Sequence, residues 1–219
     1  TIVESTSGNT GLGLAMAAAV RGYRCVFTIP DKMSQEKIDM LKAYGAEVIV
    51  TATDLDHHHP DSYVEVAKRV ARETPGSFYT DQYSNPNNPE AHYLTTGPEI
   101  WEATDGKIDS CIAGLGTGGT ISGTGKYLKD KAAQTGRTVR VVGPDPFGSI
   151  YKEAHEKGEW STPSLYRVEG IGHDFMVDTL DLTVVDEVIN ISDRDSFLTA
   201  RRLARHEGIL SGGSTGTVF

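Results

Sequence analysis

Thr6-Ser7-Gly8-Asn9-Thr10-Gly11 packs three hydroxyls, one amide and two glycines into six residues. The segment follows an apolar start and opens an Ala-rich helical pattern. At a helix N-terminus the first backbone N–H groups lack intrahelical partners, and the dipole favours an anion. Gly8 and Gly11 let the backbone approach a ligand closely. The segment suits a carboxylate or a phosphate; the plain alternative is a capped helix behind a glycine turn. Gly114-Leu115-Gly116-Thr117-Gly118-Gly119-Thr120 repeats the logic with four glycines and two threonines. Such a loop can cradle a phosphate. It lacks the Lys of a nucleoside-triphosphate loop, and Ile121 stands where a dinucleotide fingerprint needs its third glycine. Two more small-residue clusters, at 210–216 and 168–175, complete the set.

These loops need strands and helices to aim them. The pattern predicts a strand over 1–3, a helix over 11–21, and a strand over 23–29 stopped by Pro30. A helix over 34–44 follows, with Ser34 as cap and Gly45 as stop, then a strand over 47–51 and a helix over 61–73. Such alternation predicts a parallel sheet with helices on its faces. Asn85-Pro86-Asn87-Asn88-Pro89 reads as a hinge. Beyond it the pattern gives a helix over 91–104, a strand over 109–113, a helix over 119–129 and a strand over 138–142. An apolar β-branched run over 182–191 and a helix over 194–207 follow. The chain stops at a turn and helix start with no helix after it. The expected fold is α/β, with two three-layer domains and mostly parallel sheets. The smaller covers 1–85 and the larger 86–219.

Composition narrows the classes. The chain has 219 residues, 38% hydrophobic and 23% charged, with a net charge of -9. Neutralising phosphates takes clustered Lys and Arg, so nucleic acid is not the expected partner. No apolar run approaches the ~20 residues of a membrane span. Cys25 and Cys111 sit in strand-like runs and read as buried reduced thiols of a cytoplasmic protein. A start in mid-strand without Met leads us to expect an internal piece of a longer chain, truncated at both ends. His57-His58-His59, with Asp54, Asp56 and Asp61 nearby, reads as a solvated loop, and no metal is expected. Trp101 and Trp160 read as core or interface residues.

The order and spacing of the four clusters resemble the pyridoxal-phosphate (PLP) enzymes of the tryptophan-synthase β fold (fold type II), in the cysteine synthase and cystathionine β-synthase group. The resemblance spans all 219 residues. It implies that Thr6, Ser7, Gly8 and Thr10, with Gln82, bind the substrate carboxylate, and that Asn9 meets the cofactor's 3′-oxygen. It implies that Gly116, Thr117, Gly118, Gly119 and Thr120 hold the cofactor phosphate. Ser214 would face the pyridine nitrogen, and Gly170 and Gly172 would line the substrate pocket. In the family the Schiff-base Lys precedes the first loop, and no Lys of this chain stands in a matching context. His173 is a candidate for assisting loss of the serine hydroxyl, since imidazole titrates near neutral pH. The alternative is a loop His that packs or hydrogen-bonds.

Within the group, Asp81-Gln82-Tyr83, Glu169-Gly170-Ile171-Gly172 and Gly212-Gly213-Ser214 lean to cystathionine β-synthase. The stretches 84–90 and 96–101 lean to cysteine synthase. The implied reaction is β-replacement, joining serine to homocysteine, with sulfide release from cysteine as a related direction. The rivals are a cysteine synthase using O-acetylserine and sulfide, and a non-catalytic anion-binding protein. Small amino-acid substrates and a thiol acceptor are the implied partners, in a homodimer.

Overall fold

The computed structural model describes residues 1–53 and 55–219. They form two compact units, Thr1–Gln82 and Tyr83–Phe219.

In the first unit, strands β1 (Ile2–Ser5), β2 (Cys25–Pro30), β3 (Glu47–Thr51) and β4 (Phe78–Tyr79) make a parallel sheet in the order β3-β2-β1-β4. All six residues of β2 are buried, as expected of a central strand covered on both faces. Side chains alternate between faces. Cys25, Phe27 and Ile29 therefore pack with Ala15 and Ala18 of α1 (Asn9–Arg21) and Ile38 and Leu41 of α2 (Gln35–Ala43). Val26 and Val3 pack instead with Ala67 of α3 (Tyr63–Glu73). The Ser62 hydroxyl caps α3 by accepting the Glu65 N–H at 3.2 Å. Ser34 stands at the start of α2, but its side chain makes no capping bond.

In the second unit, β5 (Ser110–Ile112), β6 (Arg140–Pro146) and β7 (Glu187–Ile191) form a parallel sheet in that order. Around it lie α4 (Asn87–Leu94), α5 (Thr96–Ala103), α6 (Gly119–Gln134), α7 (Tyr151–Lys157), α8 (Asp193–His206) and α9 (Gly213–Val218). Leu115, Ile121, Leu128, Val141, Ile150, Tyr151 and Val188 are fully buried there.

The α/β class with parallel sheets stands, and several details need correction. The helix expected over 91–104 is two helices, because Pro98 has no N–H to continue a ladder and the chain breaks at Thr95. The run over 182–191 holds a 3-10 turn, Leu182–Val184, before its strand. Helix α7 is too short for its period to show, and α9 carries two glycines that weaken any helical signal. Trp160 is 67% exposed, so it is no core residue.

Candidate functional site

The first loop is built around Thr6. Its buried hydroxyl oxygen accepts N–H bonds from Gly8 at 3.0 Å and Gly11 at 3.1 Å, which folds the turn between β1 and α1. Gly8 has a φ of 119°, where side chains are strained, and a Cβ there would meet Lys37 Cδ at 2.7 Å. Ser7 stays half-buried, and Asn9 and Thr10 stay exposed. The first turn of α1 carries no acidic residue to compete with an anion.

Gln82 reaches this loop from 72 residues away: Thr10 Oγ1 donates to Gln82 Oε1 at 2.7 Å. Gln82 Nε2 donates to the Ser5 carbonyl at 2.6 Å. The structure thus brings together two residues that the sequence singled out separately.

Beneath them lies a residue that sequence reasoning missed. Glu4 is fully buried, and its carboxyl accepts from the Ser5 N–H at 2.8 Å, the Gln82 N–H at 3.1 Å and the Thr80 hydroxyl. Burial pushes it up to about 7, against the opposing pull of those hydrogen bonds. Tyr79, whose hydroxyl lies 3.1 Å from Ser5 Oγ, is also raised by burial. The one available signal was a lone charge inside an apolar strand.

The second loop belongs to the other unit. It runs from β5 into α6, whose first turn also lacks an acidic residue. Gly118 has a φ of 80°, and a Cβ on it would lie 2.4 Å from Leu180 Cβ. A Cβ on Gly119 would fall 1.8 Å from Asn88 Oδ1. The loop is therefore closed around by neighbours and admits only glycine at those positions. Thr117 is half-buried; its carbonyl accepts the Thr179 hydroxyl at 2.6 Å and its Oγ1 accepts Asn88 Nδ2 at 3.1 Å. Thr120 Oγ1 lies 3.1 Å from His92 Nε2.

Gly170 and Gly172 come up against the same loop. The Gly172 N–H donates to the Leu115 carbonyl at 2.5 Å, and the Tyr151 hydroxyl donates to the Gly116 carbonyl at 2.8 Å. Ser214 is half-buried in the first turn of α9. The end of that helix nears the loop, since a Cβ on Gly114 would lie 3.4 Å from Val218 Cγ2.

His173 sits among rings: Phe175 at 4.3 Å, Tyr83 at 5.1 Å and Tyr151 at 6.3 Å between centroids. Its Nδ1 is buried without a hydrogen bond of good geometry, 3.5 Å from Asp174 Oδ1. Nearby Asp145 is buried too, and that burial pushes it up to about 7. Neither of its carboxyl oxygens reaches a well-formed hydrogen bond, although Ser149 and the Tyr151 and Lys152 amides lie close enough to oppose the rise.

The His57-His58-His59 stretch is spent on local structure. Asp56 accepts the His58 N–H at 2.8 Å, and His59 Nδ1 accepts the Asp61 N–H at 3.1 Å. Asp54 lies outside the described residues. Among the described residues no cluster of His, Cys, Asp and Glu has the arrangement of a metal site, and no helix is long and apolar enough to cross a membrane.

Parallel α/β units with small-donor loops at helix N-termini have the backbone N–H geometry that suits anionic small molecules. The chain belongs to the pyridoxal-phosphate dependent enzymes, whose family model matches residues 1–219. It is 48% identical over 219 residues to the cystathionine beta-synthases of Apis mellifera and of Mus musculus, and 46% to that of Dictyostelium discoideum. All of this chain is covered in each case, against 42%, 38% and 43% of those relatives. The chain thus spans about two-fifths of the length of the curated relatives it matches. The donor chemistry of the loop fits the cofactor phosphate: two threonine hydroxyls stand at the N-terminus of α6, whose first turn carries no acidic side chain to repel a dianion.

Proposed function

We propose that the chain supplies the amino-acid and cofactor-phosphate sites of a β-replacement enzyme that joins L-serine to homocysteine to give cystathionine. The site observation that carries this reading is the Thr10–Gln82 hydrogen bond at the head of α1. It holds the Gln82 amide against the N-terminal turn of α1, where the helix dipole and backbone N–H groups favour a carboxylate without a cation. The relatives' name, cystathionine beta-synthase, supports cystathionine as the product, and serine and homocysteine are the substrates that the sequence resemblance implies.

In this reading Ser7, Gly8, Thr10 and Gln82 hold the α-carboxylate, and Thr6 keeps the turn in shape. Asn9 meets the cofactor's 3′-oxygen. Gly116, Thr117, Gly118, Gly119 and Thr120 hold its phosphate. Gly170 and Gly172 line the substrate pocket. When bound, PLP supplies the electron sink that lets the α-proton and the β-substituent leave. Ser214 would face the ring nitrogen, and a hydroxyl there would not hold it protonated as a carboxylate would, which would favour β-elimination over transamination. The aromatic surroundings of His173 support a packing role rather than proton transfer. We assign the working protein to the cytoplasm, as a homodimer, with sulfide release from cysteine as a side direction.

The test is an assay of the whole protein with PLP, offering L-serine with homocysteine in one tube and O-acetylserine with sulfide in another. Cystathionine in the first tube is the expected product. Cysteine in the second tube alone would move the protein to the cysteine synthases. No product in either would favour an anion-binding protein.

A further inference from the structure

Helix α4 presents two polar side chains one turn apart, and each meets a hydroxyl of the loop into α6. Asn88 Nδ2 donates to Thr117 Oγ1 at 3.1 Å. Four residues on, His92 Nε2 lies 3.1 Å from Thr120 Oγ1, while its Nδ1 lies 2.9 Å from Thr96 Oγ1 at the start of α5. The packing is close enough to dictate sequence. A Cβ on Gly119 would fall 1.8 Å from Asn88 Oδ1, and one on Gly123 would fall 2.0 Å from the Pro89 carbonyl. Two glycines of α6 thus let α4 come this near.

A hydroxyl has one proton to give. Once Thr117 Oγ1 accepts from Asn88, its own proton is directed away from Asn88. Thr120 behaves alike if His92 carries its proton on Nε2, with the Thr96 hydroxyl donating to Nδ1. Burial pushes His92 down, which keeps the ring neutral and leaves one nitrogen to accept.

We propose that Asn88 and His92 are positioning residues that turn the Thr117 and Thr120 hydroxyls into donors for the cofactor phosphate. The proposal rests on assigning residues 116–120 to that phosphate. Neither side chain need touch the cofactor; each fixes the direction of a hydroxyl that does. Donors aligned in advance bind a dianion without the loss of freedom that loose hydroxyls suffer.

The test compares two probes on the whole protein, PLP and pyridoxal, which lacks the phosphate. Binding is read by absorbance and by cofactor fluorescence, without turnover. In the parent protein PLP should bind far more tightly than pyridoxal. Asn88→Ala and His92→Leu should each weaken PLP about ten-fold, the usual loss of a hydrogen bond to a charged group, and leave pyridoxal unchanged. His92→Gln, which keeps a donor near the Nε2 position, should recover most of the loss. Equal weakening of both probes would mark a purely structural role and overturn the proposal. PLP affinity unchanged in both variants would overturn it too. Equal affinity of the parent protein for the two probes would instead remove the phosphate assignment itself. Asn88→Ser, a milder change, replaces Asn88→Ala as the deciding variant if the latter does not fold.

Discussion

Glu4 makes the sharpest statement at the scale of single residues. It lies under the first loop, among the described residues no cation hydrogen-bonds to it, and burial lifts it from 4.5 to about 7. Between those values the folded protein keeps a proton that the unfolded chain has released. The stability this contributes is therefore fully present below about 4.5 and is lost as pH rises to about 7. Asp145, raised from 3.8 to about 7, adds in the same direction. Denaturant unfolding from pH 4 to 8 should show stability falling with pH from these two groups, and Glu4→Gln should flatten part of that slope. An unchanged slope in Glu4→Gln would refute the buried proton. For Gln82, substitution by Ala should raise the KM for the amino acid about ten-fold, as loss of a hydrogen bond to a carboxylate would, with a smaller effect on the thiol. Steady-state kinetics with each substrate varied in turn checks this. His173→Phe should keep serine turnover within about three-fold. A general acid would instead cost at least ~100-fold.

At the scale of elements, helices with the same local signal owe their existence to different neighbours. Gly13 of α1 has open space around it, so Gly13→Ala should stabilise by about 0.5–1 kcal/mol through the backbone entropy of the unfolded chain. Gly216 of α9 is the reverse case: a Cβ there would meet the Ser196 carbonyl at 1.9 Å and the Ala200 nitrogen at 2.7 Å, both backbone atoms of α8. Gly216→Ala should destabilise by about 1–3 kcal/mol, the usual overpacking cost. Chemical denaturation of the pair checks both signs. The same contrast shows what the sequence could reveal. The loops at residues 6–11 and 114–120 were legible because their chemistry is local: small donors where a helix begins. The helix α3 was legible from its apolar spacing, while its Ser62 cap was not singled out. What stayed hidden depends on distant contacts. Strand β4 is two residues long and exists through its pairing with Ile2 and Val3. Helix α9 exists through α8, and the Thr217 hydroxyl is anchored on Ser196 Oγ at 2.8 Å. The burial of Glu4 likewise depends on Thr80 and Gln82, more than seventy residues away, whose groups donate to its carboxyl.

For the molecule as a whole, the two cysteines divide evenly between the units: Cys25 lies in β2 and Cys111 in β5. Both are buried, and burial raises both thiols, so neither should react readily in the native state. Thiol labelling read by peptide mass should be slow at both positions and become fast in denaturant, reporting on each unit separately. Fast native labelling of either cysteine would contradict the burial of its sheet. The central claim, β-replacement on serine, is tested most directly by competition. The whole protein with PLP would receive equal carbon-13-labelled L-serine and unlabelled O-acetylserine, with homocysteine and sulfide both present, and the products would be weighed. Labelled cystathionine as the main product is the predicted result; unlabelled cysteine with no labelled cystathionine would contradict it.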